Sequence, residues 1–143
     1  MNALLLQQNR TTTCLRAPAV PVAGAAITAG PCNDTSEVQL WSTFDGPRSL
    51  DMRIALLANF TLCLAVQGGS VAVNTPIVLA RCNSNPPGLS NSWVFDEFSR
   101  MRPAHAPNLC LTVVGTSGIS RRTVLSTCTT SSSLIWNPTI PRK

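Results

Sequence analysis

Tyrosine is absent from these 143 residues, histidine occurs once, and charged side chains make up only 12% of the chain. Each scarcity removes a class of chemistry. His105 stands among Pro103, Ala104, Ala106 and Pro107, which offer it neither a nucleophile nor an orienting carboxylate, so a histidine-driven nucleophilic site has nothing to build on. The carboxylates are Asp34, Glu37, Asp45, Asp51, Asp96 and Glu97. Glycoside hydrolysis needs two of them held across one bond. These lie mostly in turn-like sequence, and the adjacent Asp96 and Glu97 would face opposite sides of a strand. Gly68-Gly69 lacks the following Gly-Lys-Ser/Thr of a phosphate-binding loop. No catalysis and no cofactor are expected.

Long apolar runs are missing too. None reaches the roughly 18 residues that a membrane-spanning helix requires. Ala3 to Leu6 is also too short for the apolar part of a secretory signal, so any leader is expected to be already removed, with Met1 an addition. No cysteine pair has the C-x₂₋₄-C spacing of a zinc site, and one histidine cannot supply the rest, so no metal is expected. Eleven prolines and eight glycines interrupt the chain too often for long helices. The net charge of +5 is spread along the sequence, densest at Arg100/Arg102 and Arg121/Arg122. A nucleic-acid binder concentrates such charge, and interleaves aromatics where its target is single-stranded. Here the charge reads as a solvated basic surface, and nucleic acid is not an expected partner.

What the chain does have is a repeat. Leu62-Cys63-Leu64 is followed by Gly68-Gly69, an apolar run from Pro76 to Ala80, Cys82-Asn83, a Pro/Gly-rich loop and Asn91-Ser92-Trp93. An imperfect copy runs from Cys14-Leu15 through Cys32-Asn33 to Gln39-Leu40-Trp41, and another from Cys110-Leu111 through Cys128 to Leu134-Ile135-Trp136. The two cysteines of each copy stand 18, 19 and 18 residues apart, and the rule places all six cysteines and all three tryptophans. The similarity extends upstream, where Ala3 to Gln8 precedes Cys14 much as Ile54 to Asn59 precedes Cys63, with Arg102 to Ala106 a poorer third copy. A period of about 50 residues in an ordinary domain length points to internal three-fold symmetry. One domain, 1–143, with repeats near 1–50, 51–99 and 100–143, is the expected organisation. With 44% hydrophobic residues and so little charge, it should be a compact all-β domain of short strands.

Local patterning fills in the copies. Strands are expected at Thr11 to Leu15, Ala25 to Ala29, Trp41 to Phe44, Trp93 to Phe95 and Thr123 to Thr127, with Val71 to Thr75 a strand or loop edge. Alternation from Leu50 to Ile54 puts Leu50, Met52 and Ile54 on one face. Ala17 to Gly24 is a loop of low polarity, built to pack against something or to carry little. Asn83 to Asn91 is the clearest exposed loop, stiffened by Pro86-Pro87.

The pattern, over essentially the whole chain, resembles the ricin B-type β-trefoil, whose repeats carry a Cys-Leu opening, a second cysteine after a strand, and a Gln-x-Trp core motif. Gln39-Leu40-Trp41 matches that motif in full, Asn91-Ser92-Trp93 replaces its glutamine, and Leu134-Ile135-Trp136 keeps only the tryptophan. The implied fold is all-β, a β-trefoil with its termini close together and its three tryptophans buried at the centre. Three evenly spaced cysteine pairs favour an oxidising compartment, six reduced buried thiols being the alternative. Of the fifteen possible connectivities the repeat selects Cys14-Cys32, Cys63-Cys82 and Cys110-Cys128, three intra-repeat disulfides. Sequons at Asn9, Asn33 and Asn59 permit glycosylation without arguing for it.

The resemblance also implies where sugar would bind. A competent repeat of the family has an aspartate two residues after the leading cysteine, an aromatic two before the second, and an asparagine ahead of the Gln-x-Trp. Those positions hold Arg16, Ala65 and Thr112, then Gly30, Ala80 and Ser126, then Val38, Ser90 and Ser133. No repeat keeps the set, and a hydroxyl-binding site loses much of its affinity without its central acceptor. The remaining polar candidates for ligand contact are Asn33, Asp34 and Gln39 in the first repeat, and Asn83, Asn85 and Asn91 in the second. The expectation is a secreted, non-enzymatic recognition module. Its partner would be a glycan or glycoprotein held at a non-standard site, or a protein met by its loops. The alternative is a protease inhibitor or the targeting subunit of a toxin.

Overall fold

The computed structural model describes residues 4–9, 11–33, 35–45, 52–67, 72–82, 91–104, 106, 108–114, 121–129 and 134–139. The strands are β1 (Leu5–Gln8), β2 (Thr13–Arg16), β3 (Thr28–Pro31), β4 (Trp41–Asp45), β5 (Met52–Leu56), β6 (Asn59–Val66), β7 (Ile77–Arg81), β8 (Trp93–Phe95), β9 (Met101–Pro103), β10 (Leu109–Val114), β11 (Arg121–Thr127) and β12 (Trp136–Thr139). A 3-10 turn, Glu37–Gln39, precedes β4. No helix among the described residues is long and apolar enough to cross a membrane.

Six of the strands close into a barrel. β4 pairs with β5, β8 with β9 and β12 with β1, all antiparallel. Single bridges complete the ring: Leu4 to Trp41, Met52 to Trp93, and Arg100 to Ile135. Closure leaves these strands no open edge to pair with another chain. β12 lies along β1, with Leu5 opposite Thr139 and Gln8 opposite Trp136, so the first and last strands pair, as expected of a trefoil.

The other six strands form three hairpins, β2–β3, β6–β7 and β10–β11. Each hairpin hands backbone to the next repeat. Ile27 N–H donates to Ile77 and Leu79 N–H to Ala25, Leu125 N–H to Thr75, and β11 pairs Arg121 and Arg122 with Ala29 and Thr28. Three equivalent contacts therefore run in one rotational sense around a pseudo-three-fold axis.

This exchange shifts one expected strand and decides the stretch that was expected as a strand or a loop edge. β3 begins at Thr28 rather than Ala25, because Ala25 and Ile27 spend their backbone groups on the second repeat. The segment before Pro76 is a turn, with Thr75 N–H on Ala72 and Asn74 in the left-handed region at φ 74°, a conformation asparagine tolerates better than most residues. Leu50 lies outside the described residues, while Ile54 is buried and Met52 packs against the core. The low-polarity loop of the first repeat leaves Val20 76% and Val22 54% exposed.

The core repeats with the sequence. Trp41, Trp93 and Trp136 are fully buried at its centre, with Leu6, Leu15, Ile54, Leu64, Leu79, Leu111 and Leu125 around them. Burying each such aliphatic side chain contributes roughly 1.5–3 kcal/mol. A buried indole must also place its N–H. Nε1 of Trp41 donates to the Leu15 carbonyl at 3.3 Å, Trp93 to Leu64 at 2.9 Å, and Trp136 to Leu111 at 3.0 Å. All three acceptors sit one residue past the leading cysteine of their own repeat. The disulfides are Cys14-Cys32, Cys63-Cys82 and Cys110-Cys128, and each constrains the unfolded chain by about 3 kcal/mol on a loop-entropy estimate.

Trp93→Phe keeps most of the ring but strands the buried Leu64 carbonyl, so it should cost about 1–3 kcal/mol in urea unfolding. Trp41→Phe should cost less, since its bond is the longest of the three.

Candidate functional site

The Gln-x-Trp motif lies where each repeat turns from its second cysteine toward its last barrel strand. The 3-10 turn aims Gln39 back at Cys32. There Oε1 accepts from Asn33 N–H and Nε2 donates to the Pro31 carbonyl, both at 2.8 Å. Asn91 does similar work in the second repeat, with Nδ2 donating to Cys82 at 2.8 Å and Arg81 at 3.2 Å. Gln39 is 3% exposed and Asn91 is fully buried. Both side chains, candidates for ligand contact on sequence grounds, are spent on holding the backbone beside the second cysteine. Leu134, buried at the same position of the third repeat, has no amide to do so.

Asn33 is exposed, and its Oδ1 accepts from the N–H and hydroxyl of Thr35 at 3.1 and 2.8 Å. This Asx turn sits directly against Gln39, so those two candidates are brought together. Asp34, Asn83 and Asn85 lie outside the described residues, as do His105 and the Pro86-Pro87 loop.

Strand register explains how the family's sugar positions converge. Cys14 stands opposite Gly30, Cys63 opposite Ala80 and Cys110 opposite Ser126. An aromatic placed two before the second cysteine would thus face the leading cysteine. The residue two after that cysteine lies on the same side of the hairpin. Here that surface holds a half-buried Arg16, a fully buried Ala65 and a buried Thr112. It offers a sugar neither a carboxylate nor a ring.

A different concavity is built at the junction of the second and third repeats. Asp96 immediately follows β8 and organises the turn into β9. Its Oδ1 accepts from the N–H groups of Phe98 and Arg100 at 2.9 and 3.0 Å. Its Oδ2 takes Arg100 Nε and Arg102 Nη2, each at 2.7 Å. Arg100 Nη1 then donates to the Thr129 carbonyl at 2.7 Å, and its guanidinium lies 5.1 Å from the centre of the Phe98 ring. Burial pushes the Asp96 pKa up. The Arg100 N–H, the two arginine side chains and the Phe98 N–H outweigh it, and the carboxyl falls from 3.8 to about 2. Phe98, Arg100, Thr129 and Ile135 line an open cavity of about 360 Å³.

The sequence marked Asp96 only as a turn residue and Arg100/Arg102 only as solvated charge, and it passed over Phe98. The available signal was an aspartate followed two, four and six residues later by Phe98, Arg100 and Arg102, which places all three side chains on one side once the chain turns into β9.

A closed six-stranded barrel capped by three hairpins, with the indole bond repeated three times, defines a β-trefoil. The chain belongs to the ricin-type beta-trefoil lectin domain family, whose pattern matches residues 3–136. Among solved structures, the designed three-fold symmetric protein ThreeFoil is similar with a TM-score of 0.83 at 11% identity, over 96% of this chain and 97% of that one. Cytolethal distending toxin from Actinobacillus actinomycetemcomitans is similar with a TM-score of 0.77 at 16% identity, over 98% of this chain and 92% of its own. A non-toxic homologue of type II RIPs from Momordica charantia, in complex with α-methyl-D-galactoside, has a TM-score of 0.76 at 15% identity, over 97% of this chain and 48% of that one. Among curated proteins none matches the chain. At these identities the structural likeness is one of fold.

Because the folded pKa of Asp96 lies below its ordinary value, its contribution to stability is complete above about pH 4 and is lost as pH falls through about 2. Asp96→Asn should therefore lower stability by about 1–2 kcal/mol at pH 7. The gap to wild type should close in urea titrations taken down to pH 2.

Proposed function

We propose that this protein is a secreted, non-catalytic carbohydrate-recognition module that holds its glycan away from the family's standard positions. Membership of a lectin family supports the carbohydrate, and three disulfides support an oxidising, extracellular setting. The observation that carries the non-standard site is the hairpin surface of Arg16, Ala65 and Thr112. It has no carboxylate to accept from sugar hydroxyls, and two of its three residues are buried.

The polar residues have a different part in this reading. Gln39 and Asn91 set the course of the segment after each second cysteine, and Asn33, Asp34, Asn83 and Asn85 are proposed only as outer contacts for the glycan. A protein partner, as for the targeting subunit of a toxin, is the second reading. It is favoured by Val20 and Val22, which stand exposed on a loop that buries neither, and by the toxin among the structural relatives.

A broad glycan array probed with the oxidised protein tests the first reading. Saturable binding to at least one glycan, competed by free sugar, is expected, whereas Gln39→Ala and Asn91→Ala, which remove backbone-holding amides, should lower the thermal midpoint. An empty array from protein with all three disulfides confirmed by mass spectrometry would sink it.

A further inference from the structure

We propose that the cavity beside Phe98 is the glycan subsite: a saccharide ring lies with its C–H face on the Phe98 ring, and its oxygens accept hydrogen bonds from Arg100. This rests on the carbohydrate reading above and adds where the sugar sits.

Phe98 carries the first part. It is 59% exposed, yet it is held by a turn whose backbone is fixed at Phe98 N–H and Arg100 N–H by one carboxylate oxygen. An aromatic side chain that is accessible but already positioned loses little freedom when a ligand covers it. A sugar ring presents the matching surface, a patch of C–H groups bordered by hydroxyls.

Arg100 carries the second. Its bonds to Asp96 and to the Thr129 carbonyl use two of the five N–H donors of a guanidinium, and they fix the plane in which the others point. Ile135 adds an apolar wall. A concave, mainly apolar surface with a few oriented polar groups is the usual make-up of a small-ligand site, and about 360 Å³ falls at the lower end of the common range, 300–1,000 Å³.

The position is distinct from the family's own. Thr129 follows the second cysteine of its repeat and Ile135 immediately precedes the tryptophan, whereas the standard aspartate and aromatic positions of that repeat are Thr112 and Ser126 on β10 and β11. The subsite also depends on the junction of two repeats, since Asp96 and Phe98 follow the last barrel strand of the second and Thr129 and Ile135 belong to the third. No three-fold copy of Asp96, Phe98 and Arg100 exists in the other repeats, so one such subsite per chain is expected.

The test places wild type, Phe98→Ala and Phe98→Trp on one glycan array and then titrates the strongest hit by calorimetry. Phe98 is exposed, so both variants should keep the wild-type thermal midpoint. Phe98→Ala is expected to weaken the hit about tenfold or more, and Phe98→Trp, which restores a stacking face, to retain it. Wild-type binding that Phe98→Ala leaves unchanged overturns the subsite while the carbohydrate reading stands, and loss in both variants alike overturns the stacking contact. An array empty for wild type overturns the carbohydrate reading and the subsite with it.

Discussion

Each repeat is fastened at one point, where a buried indole N–H reaches the carbonyl just past the leading cysteine. That bond joins the last barrel strand of a repeat to its capping hairpin across more than twenty residues of sequence. The neighbouring disulfide closes the same hairpin at its base. An unpaired indole N–H or carbonyl at this depth would forfeit about 1–3 kcal/mol, so the tryptophan fixes geometry as well as filling space. Three such points, related by rotation, let hairpins and barrel be built from the same short pattern three times.

What the fastening leaves free is the surface between the repeats. The scaffold constrains the cysteines, the tryptophans and the leucines around them, and it tolerates wide change in the residues that face outward. The hairpin faces at the positions marked by the resemblance carry Arg16, Ala65 and Thr112, above a core that is fully packed. The amides of Gln39 and Asn91 remain because they hold backbone. The turn at Asp96 is a gain particular to one junction: a single carboxylate gathers two guanidiniums and two N–H groups and leaves an aromatic ring standing in a cavity.

The scaffold was legible in the sequence because its determinants are periodic. Cysteine and tryptophan positions gave the repeat, the repeat gave the disulfide pairing, and the apolar run ahead of Cys14 was recognisable as part of the fold from its copy ahead of Cys63. Pairing between repeats was not legible. Ala25 and Ile27 look like the start of β3, and only the folded chain shows their backbone turned toward Ile77 and Leu79. The Asp96 cavity was hidden for a related reason, since Asp96 and Arg100 are close in sequence but Thr129 and Ile135 reach them only through the closed barrel. The roles of Gln39 and Asn91 were obscured by chemistry, because a side-chain amide is equally suited to a sugar hydroxyl and to a peptide group, and burial alone decides between them.

The most direct test of where this trefoil recognises its ligand is an amide chemical-shift titration of the ¹⁵N-labelled protein with a glycan that it binds. Shifts clustered at Phe98, Ser99, Arg100, Thr129 and Ile135, with the amides of Arg16, Gly30, Ala65 and Thr112 unmoved, are the predicted result. Shifts centred on any of the three hairpin faces instead would show that the standard positions still bind sugar without their carboxylate and ring.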